Sequence, residues 1–346
     1  MNLKNNKYSL IEITDKTFWN NSLLEFSDAN LYQTFNYANV VQNEKTLKHI
    51  AIYCNSILIG MVQVRIKTFP ILNRGIAYIF RGPVWQKKTN EINIEVLSDI
   101  LNTLRKEFTV KQKLLLRIRP FIYSDSIDVK GFLTKIGPNF LQKLPVYKTL
   151  ILDLNKDLSE IRKSFRQNWR NHLNKSEKNG IHIVIGSDEK LFDIFLELYN
   201  QMINRKKFKE FVNVEAVRNF SNELDDYLNL KIFIAYKEDI PISGIVLSAV
   251  GDTAISLFRA SNSLGMKLNA SYLLQFEMIK WLKENGTKRY DLGGIDSENN
   301  PHVYDFKSGI TTNEVTDFGI IEASGSKISG SLVKIGEYLK DLRQKI

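Results

Sequence analysis

The stretch FIAYKEDIPISGIVLSAV, residues 233–250, decides the fold because it repeats HIAIYCNSILIGMVQVR, residues 49–65. In each, an alanine opens a short apolar strand, a polar turn comes next, and a second apolar strand carries a glycine. The interval from Ala51 to Gly60 equals that from Ala235 to Gly244. Apolar runs of strand length around turn residues predict a β-hairpin in both places. Pro241 falls at the start of its second strand, where a missing N–H is tolerated.

The segments after the two hairpins match as well. AYIFRGPV (77–84) reads as a strand, EINIEVLSDILNTLRKEF (91–108) as a helix and KLLLRIRP (113–120) as a buried strand. In the second half TAISLFRAS (253–261) is a strand, LNASYLLQFEMIKWLKENG (268–286) a helix closed by Gly286, and KRYDLGG (288–294) a strand. The order hairpin, strand, helix, strand on a mixed sheet is the skeleton of a GNAT-type acyltransferase domain. The expected fold is therefore α/β, of α+β mixed-sheet type, with two tandem GNAT-like domains. The first spans 1–150 and the second 151–317, and a C-terminal helix, 318–346, packs back on the first. DLSEIRKSFRQNWRNHLNKSEKNG (157–180) reads as one long helix with Leu158, Ile161, Phe165, Trp169 and Leu173 as its apolar stripe. A second helix is expected over 190–207, and the tail 326–346 is amphipathic.

At 346 residues the chain has room for two cores of ordinary size. Cys54 is its only cysteine, which excludes an internal disulfide framework and fits a reducing, cytoplasmic compartment. The N-terminus lacks the apolar core of a signal peptide, and no apolar run approaches the roughly 18 residues of a membrane span. Forty-eight Lys and Arg against 38 Asp and Glu leave a net charge of +10, which favours nucleic acid, phosphorylated substrates or an anionic membrane surface.

His49, His172, His182 and His302 stand in no zinc-type or nucleophile-elbow context. Neither a metal site nor a protein nucleophile is expected. A single-displacement acyl transfer needs neither, because an amine can attack an activated acyl carbon held and polarised by the enzyme. Ordinary GNAT domains cradle the CoA pyrophosphate with R/Q-x-x-G-x-G/A at a helix N-terminus. Nothing of that kind precedes Glu91, and RASNSLGMKLNAS sets Arg259 and Gly265 at the wrong spacing. The fold suggests acyl transfer, while the missing loop argues against CoA.

Two basic features stand out. Arg162, Arg166 and Arg170 recur every four residues on the expected long helix, a row that can track phosphates or simply be a solvated face. In YDLGGIDSENNPHVYDFKSGI (290–310), Lys307 comes directly after Phe306 in what reads as a loop beyond the last strand of the second unit. Active sites of α/β folds gather at strand ends, and an ammonium there can stabilise an oxyanion or a phosphate.

The same region resembles the Fem family of aminoacyl-tRNA-dependent transferases, which extend the interpeptide bridge of peptidoglycan precursors. The resemblance is clearest over LLQFEMIKWLKENGTKRYDLGGIDSENNPHVYDFK (273–307) and closest to the FemX type, which lacks a coiled-coil arm. It extends more loosely to RGPV at 81–84 and the helices of 157–207. It implies that Phe306 and Lys307 lie at the reaction centre, the lysine contacting the tRNA 3′ end and stabilising the tetrahedral intermediate. Tyr304 matches the family's tyrosine two residues earlier, and Asp291, Gly293 and Gly294 match its YDLGG turn. The sequence departs from the family at Phe258, where a tyrosine is expected, and at Arg119, where an acid is expected. Asn39 and Gln42 stand where lysines are expected. These departures fall in the acceptor cleft, so the donor chemistry carries over better than the acceptor. Arg119 would suit an anionic group.

The expectation is a cytoplasmic, monomeric aminoacyltransferase, possible at the inner face of the membrane. It moves an aminoacyl group from aminoacyl-tRNA to an amine of a nucleotide- or lipid-linked cell-wall precursor, without a cofactor. Lys307 and Phe306 are its catalytic residues, and Tyr304, Arg119, Arg81 and Phe258 its acceptor-side candidates. Arg162, Arg166 and Arg170 are candidates for tRNA phosphate. Two alternatives stay open. One is an acyl-CoA-dependent N-acyltransferase acting on a sugar or polysaccharide precursor. The other is a non-catalytic tRNA- or envelope-binding module.

Overall fold

Both hairpins form. The computed structural model describes residues 7–37, 46–69, 72–89, 91–126, 128–143, 147–206, 214–225 and 227–345, so Asn39 and Gln42 lie outside the described residues. The chain divides into two compact units, residues 1–147 with 316–346, and residues 148–315.

The first unit begins with β1 (Tyr8–Glu12) and α1 (Lys16–Leu23), then the hairpin β2 (Leu47–Cys54) and β3 (Ile57–Phe69). Next come β4 (Arg74–Phe80), α2 (Ile94–Arg105) and β5 (Leu115–Arg119), then α3 (Val129–Ile136) and β6 (Leu141–Lys143). The second unit runs β7 (Lys148–Asp153), α4 (Leu158–Ser164), α5 (Gln167–Glu177), β8 (Ile181–Gly186), α6 (Glu189–Lys206) and α7 (Val214–Glu223). Its hairpin is β9 (Lys231–Lys237) and β10 (Ile240–Ser248). β11 (Thr253–Ser261), α8 (Ser263–Lys267), α9 (Ala270–Glu284), β12 (Arg289–Asp291), α10 (Pro301–Ser308) and β13 (Glu314–Thr316) complete it. β14 (Ile320–Ser324) and α11 (Lys327–Lys345) return to the first unit, where α11 packs on β4, β5 and β14.

Each unit is built on one mixed sheet, ordered β1-β2-β3-β4-β5-β14-β6 and β13-β7-β12-β11-β10-β9-β8 among the described residues. In each, the strand after the hairpin pairs in parallel with the strand after the helix: β4 with β5, and β11 with β12. A crossover helix is what such a parallel pair requires. The repeat's glycines have a packing reason. A Cβ on Gly60 would stand 2.7 Å from Ile100 Cδ1, and one on Gly244 2.7 Å from Phe195 Cδ2. In both hairpins the glycine is where a helix presses against the sheet, although α2 and α6 occupy different places in chain order.

The expected long helix over 157–180 is two helices. Phe165 (φ −62°, ψ 147°) and Arg166 (φ −55°, ψ 148°) are extended and separate α4 from α5. The Arg170 guanidinium donates to the carbonyls of Lys163 at 2.7 Å and Phe165 at 2.5 Å, satisfying carbonyls that a helix end leaves open. Across the break Phe165 and Trp169 both stay turned inward, with ring centroids 4.6 Å apart. A continuous 3.6-residue period gives no warning of it, because the apolar spacing survives the break.

Candidate active site

β12 is only three residues long, and its end organises the site. The buried carboxylate of Asp291 accepts from the Gly293 N–H at 2.8 Å and from the Thr149 hydroxyl on neighbouring β7. Gly293 adopts φ +81°, and a Cβ there would sit 3.2 Å from the Ser256 carbonyl and 3.4 Å from Lys307 Nζ. The positive φ favours glycine, and a Cβ would also crowd the Ser256 carbonyl. The next turn, which is polar, is closed by Asp296. It accepts from the Asn299 N–H at 2.9 Å and Nδ2 at 2.8 Å, bonds that hold its carboxyl below the usual carboxylate range.

Pro301 then starts α10, with proline in its first turn as helix geometry favours. Lys307 thus lies in the last turn of a short helix, not in a loop. Helix winding turns the side chain inward, leaving it 7% exposed. Its Nζ donates to the carbonyls of Gly293 at 2.9 Å and Gly294 at 2.7 Å. Its pKa is lowered from 10.5 to about 7, by burial first and by the Arg259 charge second, with Asp291 opposing both.

Sequence reasoning misses Arg259, because its spacing to Gly265 fits no pyrophosphate loop and nothing else marks it. It projects from β11 and donates from Nε to the Ser256 hydroxyl at 3.1 Å and from Nη2 to the Tyr290 hydroxyl at 2.5 Å. Its Nη1 has no partner among the described residues. The guanidinium lies 5.6 Å from the Phe306 ring centroid, and that ring meets Tyr272 edge-on at 5.1 Å. Lys307, Phe306 and Arg259 line a cavity of about 320 Å³ with Arg205, His302, Met202 and Met266. Ser243, Ser261 and Ser271 also line it, linked hydroxyl to hydroxyl at 2.7 and 2.8 Å. No motif signals these serines, since they come from two strands and a helix start far apart in sequence. A larger cavity, about 710 Å³, lies in the first unit beside the N-terminus of α2. Its Lys87 and Lys135 are held in ion pairs with Glu25 and Glu95, and it offers no buried titratable group.

The other expected residues are not among those lining this cavity. Tyr304 gives its hydroxyl proton to Glu314 and does not line the cavity of Lys307. Phe258 packs against Phe195 and Tyr199, with centroids 6.5 and 6.0 Å away. In the first unit, Arg119 donates from Nε to the buried carboxylate of Asp317 at 2.7 Å, so its charge is already balanced within the unit. Arg81, buried and at φ +55°, sits over Tyr147 at 4.9 Å and Phe121 at 5.5 Å, with Tyr32 and Phe80 at 5.9 Å. The three arginines of the expected row are not one row. Arg162, on α4, is paired with Glu177 at 2.7 Å, Arg170 caps α4, and Arg166 stands exposed at the break.

The second unit has the fold of a GNAT domain: a family model described as an acetyltransferase (GNAT) domain matches residues 163–308. More particularly, the chain is similar to Fem-type transferases. It is 25% identical to the UDP-N-acetylmuramoylpentapeptide-lysine N(6)-alanyltransferase of Weissella viridescens, over 68% of this chain and 71% of that protein. It is 20% identical to the lipid II:glycine glycyltransferase of Staphylococcus epidermidis, over 72% of this chain and 76% of the relative. The crystal structure of FemX superposes with a TM-score of 0.75 at 18% identity, covering 91% of this chain and 97% of FemX.

Proposed function

We propose that this chain transfers an aminoacyl group from aminoacyl-tRNA to an amine of a peptidoglycan precursor, nucleotide- or lipid-linked. Two relatives named as an alanyltransferase and a glycyltransferase support the reading. The structural observation that carries it is Lys307, buried at the cavity with two carbonyls on its Nζ. An ammonium has three N–H donors. Two are taken by Gly293 and Gly294, which fix the nitrogen in place, and one is left for the reaction.

The acceptor amine, uncharged, attacks the ester carbon and forms the new C–N bond. The carbonyl electrons move to oxygen, and the remaining Lys307 N–H stabilises that oxyanion. Collapse breaks the ester C–O bond, and the tRNA 3′ oxygen leaves with a proton that the attacking nitrogen gives up. Phe306 and Arg259 form the cavity wall beside this lysine. The donor is a substrate, so the scheme uses no resident cofactor. Arg81, Arg119, Tyr304 and Phe258 are the acceptor-side candidates, and Arg119 enters with its charge already countered by Asp317.

The test is incubation with a mixture of charged tRNAs and candidate precursors, read by mass. An acceptor gaining one aminoacyl residue supports the reading. Transfer from an acyl-CoA with none from charged tRNA would replace it with N-acylation. Binding of tRNA with no transfer to any acceptor would leave a binding module.

A further inference from the structure

One end of the first unit's sheet gathers exposed apolar side chains from three segments. β3 ends at Phe69 opposite Arg74 of β4, β5 begins at Leu115 beside Ile76, and β14 ends at Ser324 opposite Leu115. A π-helical turn, Lys106–Lys111, reaches the same end, with the Leu114 N–H donating to the Phe108 carbonyl at 2.9 Å. So does the start of α11, where the Ser329 hydroxyl donates to the Lys113 carbonyl at 2.6 Å. Phe69 is 42% exposed there, Leu72 50%, Val110 59% and Ile328 56%. Ile335 and Tyr338, seven and ten residues beyond Ile328 and so on the same side of α11, are 56% and 65% exposed.

Lysines frame this apolar surface. Lys67, Lys106 and Lys113 are exposed, and Glu107, the acid of the π-helical turn, is occupied by Lys111 at 2.8 Å. The whole chain carries +10. Apolar side chains ringed by lysines match the boundary between headgroups and acyl chains of an anionic bilayer. A nucleic acid would meet the lysines but offer little to four aliphatic or aromatic side chains, because such interfaces are polar. No helix among the described residues is long and apolar enough to cross a membrane, so the contact is with the surface.

We propose that this end of the first unit docks on an anionic lipid bilayer, seating Phe69, Leu72, Val110 and Ile328 at the acyl boundary with Lys67, Lys106 and Lys113 against the headgroups. This goes beyond the transferase reading and does not depend on it, since it needs neither donor nor acceptor.

The test is flotation of the full chain with vesicles of phosphatidylcholine alone and of phosphatidylcholine mixed equally with phosphatidylglycerol. Binding is expected to the mixed vesicles, weakened by salt, with little to the neutral ones. The combined variant Phe69→Ser, Leu72→Ser, Val110→Ser should lose about tenfold or more of its vesicle partitioning. It should keep its melting curve, its tRNA affinity and any transfer to a soluble acceptor. Lys106→Glu with Lys113→Glu, which leaves the apolar surface intact, should also lose vesicle binding and covers the case in which the serine variant fails to fold. Absence of flotation by the wild type overturns the proposal. So does flotation unchanged in both variants, or loss of tRNA affinity in place of vesicle binding, which would give the surface to RNA.

Discussion

The Nζ of Lys307 stands 2.7 Å from the carbonyl oxygen of Gly294, thirteen residues earlier in the chain. Helix α10 and the turn after β12 are thus tied at one nitrogen. Removing that nitrogen tests its chemical role. Lys307→Ala is expected to lower turnover by a factor of about 10² to 10³, the scale of a lost oxyanion donor. The pH profile separates charge from shape. If the cation does the work, with its pKa at about 7, its loss above that value should offset the gain from deprotonating the acceptor amine, so wild-type turnover should level off there. Lys307→Arg keeps its charge throughout, so it should be slower but go on rising with pH as the acceptor amine loses its proton. A wild-type rate climbing above pH 7 as steeply as that of Lys307→Arg would mean that the cation is not what the reaction needs.

The same depressed pKa makes a prediction about folding. Between about pH 7 and 10.5 the unfolded chain holds a proton on Lys307 that the folded chain does not. Unfolding there takes up a proton, so stability rises with pH through that window. Below it the burial penalty is fully present, and above it the penalty is gone. Wild type should therefore gain stability relative to Lys307→Met as pH is raised from 7 towards 10, by a few kcal/mol at most. Denaturant midpoints of the two proteins across that range check it. Parallel curves would mean that the lysine keeps its proton in the fold.

Gly293 and Gly286 offer a matched pair. Both have positive φ, +81° and +76°, but a Cβ on Gly286 meets nothing within 4 Å. Gly286→Ala should cost the left-handed conformation alone, about 1–2 kcal/mol, and leave turnover intact. Gly293→Ala adds contacts with the Ser256 carbonyl and with Lys307 Nζ, so it should cost more stability and also lower turnover. Melting and rate measured on both variants would show whether the second effect is specific to the site.

The repeated hairpin makes the architecture readable, because alternating apolar strands and a glycine at matched spacing survive in both halves. The helix–strand alternation after each hairpin is equally plain. The break at Phe165–Arg166 is not, since it preserves apolar spacing and depends on Arg170 reaching back to carbonyls. Lys307 can be singled out from its neighbours, but not its burial, which comes from a helix beginning at Pro301 after a turn closed by Asp296. Arg259 and the three serines cannot be assembled from sequence at all. Their proximity is created by strand pairing between β10 and β11 and by the start of α9.

The broken helix changes which arginine should meet tRNA. Arg162 is bidentate to Glu177, at 2.8 and 2.7 Å, and Arg170 is spent on backbone carbonyls. Arg166 is exposed at the junction and free to reach a phosphate. Arg166→Ala should therefore weaken tRNA binding and reduce the slope of log affinity against log salt by roughly one contact, about 0.7 to 0.9. Arg162→Ala should leave that slope nearly unchanged, because it removes a cation already neutralised by its own carboxylate. Arg170→Ala should act through folding, lowering the melting midpoint as the carbonyls of Lys163 and Phe165 lose their donor. Salt titrations of the three variants distinguish these outcomes. Equal slopes for Arg162→Ala and Arg166→Ala would mean that the ion pair with Glu177 opens when RNA arrives.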